Sequence, residues 1–379
     1  MMQWITADQV FDGSCLLTDH AVCIGGDHVI DLKPTKDVPR IDVATHHKGL
    51  LTPGFFDIQV NGGGGVMLNT TPTRAGIETI AAAHRSFGTV ALLPTVITDA
   101  SNVMQAAVEA AIAAKNSPGV IGLHIEGPHI AALRRGTHAE RHIRPLDEHT
   151  LTLVRALRDA GLATLITVAP ESATPVQVSA LRDLGAVVSI GHSDATAADT
   201  MALVAAGATC FTHLFNAMSP MLNRTPGVTG AAIASDAWCS IIADGIHVDP
   251  MMVALAIRAR PKAHRMIAVS DAMSTVGGPS QFDLYGQSIQ LQNGRLVNSE
   301  GSLAGAHLTL LEALQNLVTY GVDLETALRM CRSNPFDAMG LTDRSGIIGL
   351  PSADCLLLNE DLRLDQVGLT AAVTSSEAV

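Results

Sequence analysis

The sequence predicts an α/β fold: a closed (β/α)8 barrel, similar to a TIM barrel, with a small β-sandwich domain formed by both chain ends. Three observations lead to this prediction. Eight short apolar runs alternate with Ala-rich helical stretches, polar residues gather at the carboxyl ends of most of these runs, and both ends of the chain contain strand-like segments. Alternating units with nearly continuous apolar strands are typical of a parallel sheet.

The eight apolar runs begin at residue 55. They are FFDIQV (55–60), TVALLPT (89–95), VIGLHIE (120–126), TLITVAP (164–170), AVVSIGH (186–192), ATCFTHL (208–214), CSIIADG (239–245) and MIAVSDA (266–272). Helical stretches such as AGIETIAAAHRSF separate several of them. Eight such units favour a closed barrel over an open, doubly wound sheet.

The two chain ends differ from this pattern. Residues 1–50 and 346–379 contain short β-prone runs, which can pair with each other. We therefore expect a small β domain from 1–50 plus 346–379, and a (β/α)8 barrel from 51–345. Within the latter, Asn293-Gly294 between alternating residues predicts a β-hairpin.

Composition limits the classes of partner. Apolar residues make up 47% of the 379, charged residues only 16%, and the formal net charge is −12. This balance argues against nucleic acid or an anionic membrane as a partner, but a few placed cations can still bind a small anion. No apolar stretch approaches a membrane span, the start lacks a signal-peptide pattern, and the six cysteines form no CxxC pair. We expect a cytoplasmic protein with reduced thiols.

Polar residues at the ends of the predicted strands indicate the active site. In a parallel barrel these ends converge on one mouth, where active sites form. Glu126, His192 and His213 supply one carboxylate and two imidazoles, a set that suits Zn²⁺ or a similar divalent ion and leaves a position for water. Asp271, at the end of the last strand, is either a fourth ligand or the general acid/base.

The ordered motifs HIEGPH, GTH, GHSDA, THLFNAM, DGIHV, VSDAM and SLAG resemble those of the N-acetylglucosamine-6-phosphate deacetylases, within the amidohydrolase superfamily. The resemblance extends over nearly the whole chain. It implies a metal-containing barrel, an aspartate acid/base and a pocket for a phosphorylated sugar. It also implies a homodimer in which phosphate contacts are completed across the interface.

The resemblance assigns roles to individual residues. The implied metal ligands are Glu126, His192 and His213, and the implied acid/base is Asp271. His138 would stabilise the oxyanion and, with Thr137, would contact the sugar and the amide. The remaining implied substrate contacts are Asn216, Ala217, Leu303, Ala304 and Gly305, with Arg224 and His247 reading the phosphate.

One departure from the wider superfamily concerns the second metal. Many members have His-x-His at the end of strand one, whereas this chain has Gln59-Val-Asn61. Neutral amides are poor metal ligands, so we expect one divalent ion per chain, with Zn²⁺ ahead of Fe²⁺.

The expected reaction is hydrolysis of the acetamide of N-acetylglucosamine 6-phosphate to glucosamine 6-phosphate and acetate, in amino-sugar catabolism. Three alternatives stay open from the sequence. They are the same chemistry on N-acetylgalactosamine 6-phosphate, another amidohydrolase acting on a different amide, and a non-catalytic sensor of metal or phosphosugar. No residue decides between the two sugar epimers. Among the other histidines, we expect His84 at the surface and His129 in a loop.

Overall fold

The computed structural model describes residues 2–38, 43–262, 264–297 and 303–369. Its strands are β1 (Met2–Phe11), β2 (Leu16–Leu17), β3 (His20–Gly25), β4 (His28–Pro34), β5 (Val43–Pro53), β6 (Phe55–Val60), β7 (Gly62–Gly63), β8 (Val66–Met67), β9 (Thr89–Ile97), β10 (Gly122–Glu126), β11 (Ala163–Val168), β12 (Val187–Ile190), β13 (Cys210–Phe211), β14 (Trp238–Ile241), β15 (Met266–Ala268), β16 (Gln281–Leu284), β17 (Gln287–Gln292), β18 (Arg295–Val297), β19 (Leu303–Ala306), β20 (Cys355–Leu358) and β21 (Leu364–Val367).

The main helices lie between and after the barrel strands. They are α1 (Arg74–Arg85), α2 (Ser101–Ala113), α3 (Glu148–Asp159), α4 (Pro175–Asp183), α5 (Ala197–Ala206), α6 (Gly227–Ala234), α7 (Pro250–Ala259), α8 (Leu310–Thr319), α9 (Leu324–Cys331) and α10 (Ser333–Ala338). Several begin at side-chain caps. Thr174 and Thr309, for example, form capping boxes at the starts of α4 and α8, which satisfy otherwise unpaired backbone N–H groups.

The predicted barrel is confirmed. Its parallel sheet runs in the order β15-β14-β13-β12-β11-β10-β9-β6, and each of the eight apolar runs contributes one strand. The sheet closes between its first and last strands. The Asn61 N–H donates to the Ala272 carbonyl oxygen at 2.9 Å, and the Asp271 N–H donates to that of Gln59 at 3.1 Å. Closure brings the polar ends of the first and last strands side by side.

The chain ends form a separate sheet, as predicted. Its order is β21-β20-β5-β1-β3-β4, with β2 paired to β1, so strands from before and after the barrel lie in one sheet with no barrel strand between them. The buried Arg332 lies at the junction of the two units, where its guanidinium donates to the carbonyl oxygens of Gly54, between β5 and β6, and of Arg344 and Ser345, before β20, at 2.7 to 3.0 Å. Residues 370–379 of the predicted small domain lie outside the described residues, and the residue boundaries between the units stay a prediction.

A third sheet, β16-β17-β18-β19, lies beside the barrel mouth. Its central turn is the predicted hairpin: Asn293 and Gly294 both have positive φ (51° and 78°), as a two-residue turn of this kind requires. Apolar side chains of this sheet pack on Met67, Ile97 and Met273. The sheet thereby fixes β19 at the edge of the candidate site.

One expectation about the histidines was wrong. His84 is fully buried in α1, where its ring nitrogen Nε2 donates to the Gly62 carbonyl oxygen at 2.9 Å. Burial lowers the pKa of His84 to about 4, so the ring is neutral.

In the described part of the chain, no helix has both the length and the apolar character that a bilayer crossing demands.

Candidate active site

A cavity of about 210 Å³ opens at the mouth of the barrel. Most of the residues predicted for the site line it: Glu126, Thr137, His138, His192, His213, Asn216, Ala217, His247, Asp271, Leu303 and Gly305. Two predicted residues do not. Ala304 is buried in the apolar cluster behind β19, and Arg224 lies in an exposed loop outside the lining. The barrel ends therefore bring together residues that are far apart in the sequence.

Three donor atoms converge within this cavity. Oε1 of Glu126 lies 2.9 Å from Nε2 of His213 and 3.1 Å from Nε2 of His192, and the two nitrogens are 3.0 Å apart. All three side chains are buried. Ligand atoms around a tetrahedral zinc ion at its usual bond lengths lie about 3.4 Å from one another. A small outward adjustment would therefore admit the ion, and the residues fit a divalent metal with three protein ligands.

The backbone at the two histidines is conformationally unusual. His192 and His213 have positive φ values of 48° and 35°, in a region that non-glycine residues rarely adopt. Such conformations persist where surrounding contacts determine them, and they cluster at functional sites. Nδ1 of His192 donates to the Arg134 carbonyl oxygen at 2.9 Å, and Nε2 is therefore the nitrogen that faces Glu126 and His213.

The electrostatics of Glu126 also suit a ligand. Burial opposes ionisation of this carboxyl, but hydrogen bonds from His192 and His213 outweigh it and hold the pKa of Glu126 well below its ordinary value. The group is thus a carboxylate at neutral pH. A buried anion facing two imidazoles is the charge arrangement that a divalent cation stabilises.

Asp271 lies beside this group, held by two amides. Nδ2 of Asn61 donates to Oδ1 of Asp271 at 2.7 Å, and Nε2 of Gln59 donates to the same oxygen at 3.2 Å and to Oε1 of Glu126 at 3.0 Å. Gln59 and Asn61 thus orient the two carboxylates. Burial, followed by repulsion from Glu126, raises the pKa of Asp271 to about 6. That value suits a group that must accept and return a proton near neutral pH.

His138 approaches the site from the loop after β10. The Thr98 N–H points at Nδ1 of His138 at 3.4 Å, and the Thr98 hydroxyl lies 2.7 Å from the same atom. Nδ1 is therefore an acceptor, and Nε2 carries the ring hydrogen. Burial, reinforced by His192, lowers the pKa of His138 to about 3, so it is a neutral donor. The motif assigned His138 to the site, whereas the role of Thr98 has no sequence signature.

His247 also lines the cavity. Its Nδ1 lies 2.6 Å from Oδ2 of Asp244, and both side chains are largely buried. The hydrogen bond from His247 outweighs burial and lowers the pKa of Asp244. This pair fixes the ring and leaves Nε2 of His247 available to a ligand.

An apolar part of the lining was not placed by sequence reasoning. It consists of Ile97, Ile242 and Met273, together with the predicted Leu303.

The two other histidines of the third strand and its loop have structural partners. His124 lies inside the barrel 2.8 Å from the Thr167 hydroxyl, and the buried His129 contacts Thr150 and the Arg144 carbonyl oxygen.

Comparisons with known proteins agree with this site. A profile of the Amidohydrolase family matches residues 50–350. The chain is 39% identical over 357 residues to an N-acetylgalactosamine-6-phosphate deacetylase of Shewanella sp. (strain ANA-3), covering 92% of this chain and 90% of that protein. It is 32% identical over 344 residues to the N-acetylglucosamine-6-phosphate deacetylase of Haemophilus influenzae, covering 88% of each.

Solved structures give the same result. The crystal structure of N-acetylglucosamine-6-phosphate deacetylase from Pasteurella multocida superposes with a TM-score of 0.89 at 30% identity, covering 96% of this chain and 97% of that chain. A Mycobacterium smegmatis deacetylase variant in complex with N-acetyl-D-glucosamine-6-phosphate gives 0.87 at 27% identity, covering 96% of each. On the extent of these matches and the geometry of its metal-ligand set, the chain belongs to the amidohydrolase family.

Proposed function

We propose that this protein removes the acetyl group from N-acetylglucosamine 6-phosphate by metal-dependent hydrolysis, releasing acetate and glucosamine 6-phosphate. The observation that carries the proposal is the convergence of Glu126, His192 and His213 within 3.1 Å of one another, beside an Asp271 oriented by two amides. Relatives named for this reaction align with nearly the whole chain.

One divalent ion per chain, which we propose is Zn²⁺, would be held by Glu126, His192 and His213. When bound, it supplies a Lewis acid that lowers the pKa of a water molecule. Gln59 and Asn61 lie at the end of the first barrel strand, and their donor hydrogens point at the two carboxylates. Neutral amides are poor ligands for a divalent ion compared with the carboxylate and imidazoles of the first site, so we expect no second tightly bound ion.

Asp271 would move the proton. Because Oδ1 already accepts hydrogen bonds from Gln59 and Asn61, Oδ2 is the oxygen that can accept the proton of the attacking water. The same oxygen would then return the proton to the leaving amine, so the acid and the base are one group.

His138 would stabilise the negative charge that develops on the acetamide oxygen. Its Nε2–H is a neutral donor whose tautomer is set by Thr98, so no rearrangement is needed during the reaction. The side chains of Ile97, Ile242 and Met273 offer an apolar surface for the acetyl methyl group. Thr137, Asn216, Ala217 and the β19 segment Leu303–Gly305 would contact the sugar.

The phosphate group of the substrate would be bound by His247 and Arg224. His247 lines the cavity, whereas Arg224 lies in the exposed loop 220–226 after β13. An exposed loop can present a guanidinium to a phosphate, where charge-assisted hydrogen bonds are strong. We further propose a homodimer in which this loop completes the phosphate site across the interface.

We also propose a cytoplasmic location. The free, unpaired thiols of Cys210, Cys239 and Cys355 support it, since such thiols are typical of a reducing compartment.

The second candidate substrate is N-acetylgalactosamine 6-phosphate. The 39% identical Shewanella protein is named for this epimer, and its identity exceeds the 32% of the Haemophilus relative. The two sugars differ only in the configuration of one hydroxyl, and the chemistry proposed for Asp271 and His138 is the same for both. Steady-state kinetics with both phosphosugars would rank them by kcat/KM.

The phosphate assignment is tested by comparing N-acetylglucosamine with its 6-phosphate in wild type and Arg224→Ala. We expect wild type to prefer the phosphorylated sugar and Arg224→Ala to lose about 10-fold or more of that preference, since a charge-assisted contact contributes about 1.5 to 3 kcal/mol. Lys262→Ala, which removes an exposed cation paired with Asp236, is the matched control. An undiminished preference in Arg224→Ala would remove this residue from the phosphate site.

A further inference from the structure

The loop that follows β10 encloses the metal-ligand candidate His192. The Ala131 N–H donates to the His192 carbonyl oxygen at 2.9 Å, and Nδ1 of His192 donates to the Arg134 carbonyl oxygen at 2.9 Å. Because His192 has a positive φ of 48°, its orientation depends on such external contacts. The carbonyl of Arg134 is thus the atom that directs Nε2 towards the ion.

An ion pair fixes this carbonyl from outside the cavity. Nε of Arg134 lies 2.7 Å from Oδ1 of Asp194, and each side chain is 34% exposed. Asp194 follows His192 by two residues, and its N–H donates to Oε1 of Glu171 at 2.7 Å, while the Ser193 hydroxyl donates to Oε2 of Glu171 at 2.8 Å. The pair therefore ties the loop to the segment that carries His192, and Glu171 anchors that segment near the end of β11.

The same loop carries the proposed oxyanion donor. His138 follows Arg134 by four residues, and the centroids of the His138 and His192 rings are 4.4 Å apart. Neither Arg134 nor Asp194 lines the cavity. The Arg134–Asp194 contact is thus connected, through the backbone of the loop, both to the proposed metal ligand His192 and to His138.

We propose that the Arg134–Asp194 ion pair is a positioning element for the metal ligand His192. It holds the Arg134 carbonyl against Nδ1 of His192 and so keeps Nε2 directed at the ion. The inference rests on the proposed function, because it takes Glu126, His192 and His213 as the ligands. A partly exposed ion pair contributes little to folding stability, so its loss should weaken metal binding without unfolding the chain.

The expected loss of metal affinity follows from what is known of metal-ligating histidines in general. Removing the hydrogen-bond partner of a metal-ligating histidine costs about 10- to 100-fold in metal affinity. Here the partner is a backbone carbonyl that remains present, so we expect the lower end, about 10-fold. Since Arg134 and Asp194 act as one unit, removing both should cost no more than removing either.

The test is a Zn²⁺ titration of metal-stripped protein against a competing chelator. It compares wild type, Arg134→Gln, Asp194→Asn and the double variant. Arg182→Gln, which breaks a surface pair with Asp183 at the same distance of 2.7 Å, is the control. We expect each single variant and the double variant to bind Zn²⁺ about 10-fold more weakly, with the control unchanged and all metal-free melting temperatures alike.

Three results would overturn the inference. They are wild-type affinity in both single variants, additive losses in the double variant, and a fall in metal-free melting temperature that accompanies the weaker binding. A wild-type protein that holds no Zn²⁺ in the same titration would instead refute the ligand assignment of the proposed function. The two failures are therefore distinguished by the wild-type curve alone.

Discussion

At the scale of single residues, the site depends on amides that hold carboxylates. Gln59 touches both Glu126 and Asp271, and Asn61 touches Asp271 again. Two carboxylates in one buried site repel each other, and the raised pKa of Asp271 reflects burial first and this repulsion second. The amides donate to both groups without adding charge. In the proposed mechanism, one of these carboxylates holds the metal and the other is free to exchange a proton.

Asp271→Asn tests this division of roles. The variant should retain metal and bind substrate, because Asn keeps the shape of the side chain and none of the three ligand candidates changes. Turnover should fall by about two orders of magnitude or more, the range expected when a general acid/base is removed. Acetate release and metal content measured on the same preparation check both parts. Asp283→Asn, an exposed carboxylate on β16, is the control, and near-normal turnover in Asp271→Asn would refute the assigned role.

At the scale of elements, the four-stranded sheet β16–β19 completes the cavity. Gly305 on β19 has φ of +67°, and a Cβ at this position would lie 2.1 Å from Cε and 2.7 Å from Cγ of Met273. Met273 lines the cavity. A side chain at position 305 would therefore displace part of the apolar wall.

Gly305→Ala should raise KM and lower stability by about 1 to 3 kcal/mol, the cost of a non-glycine residue in this backbone region. The matched control is Gly286→Ala in the turn between β16 and β17. Gly286 has φ of +81°, but a Cβ added there would meet no atom within 4 Å beyond its chain neighbours. Both variants should melt earlier, and only Gly305→Ala should change KM. An equal KM in the two variants would show that β19 does not shape the substrate site.

Prediction from sequence also succeeds and fails at the level of elements. The eight barrel strands and the Asn293-Gly294 hairpin could be predicted because each depends on a short stretch of sequence: an apolar run for a strand, and a pair of turn residues for the hairpin. The metal-ligand candidates could be named because polar residues at the ends of apolar strands are conspicuous. His84 was misjudged as exposed because its partner, the Gly62 carbonyl, is supplied by a distant segment. Ile97 and Ile242 resemble any other core residue until the cavity is seen.

At the scale of the whole molecule, one metal per chain is expected. Three converging ligands define one site, and the polar residues at the end of the first barrel strand, Gln59 and Asn61, are neutral amides. Elemental analysis after exhaustive dialysis should give one tightly held equivalent of divalent metal per chain. Analytical sedimentation of the same sample reports the proposed dimer. Two tightly held equivalents would contradict the interpretation of Gln59 and Asn61 as non-ligands.

Closure of the barrel brings the residues of the candidate site together. Closure sets Gln59 against Asp271, and Arg332 binds the backbone where the chain passes between the terminal sheet and the barrel, at Gly54, Arg344 and Ser345. The three ligand candidates come from the ends of strands β10, β12 and β13, so no single part of the barrel contains the whole site. Activity should therefore require the intact fold.

The central claim is metal-dependent deacetylation of an N-acetylhexosamine 6-phosphate, and acetate release tests it most directly. Purified protein, stripped of metal and reconstituted with Zn²⁺, would be incubated with N-acetylglucosamine 6-phosphate and, separately, with its galacto epimer. We predict stoichiometric release of acetate and the free amino-sugar phosphate from at least the gluco substrate, abolished by metal removal and restored by Zn²⁺. Absence of acetate from both phosphosugars, with one Zn²⁺ bound per chain, would contradict the claim.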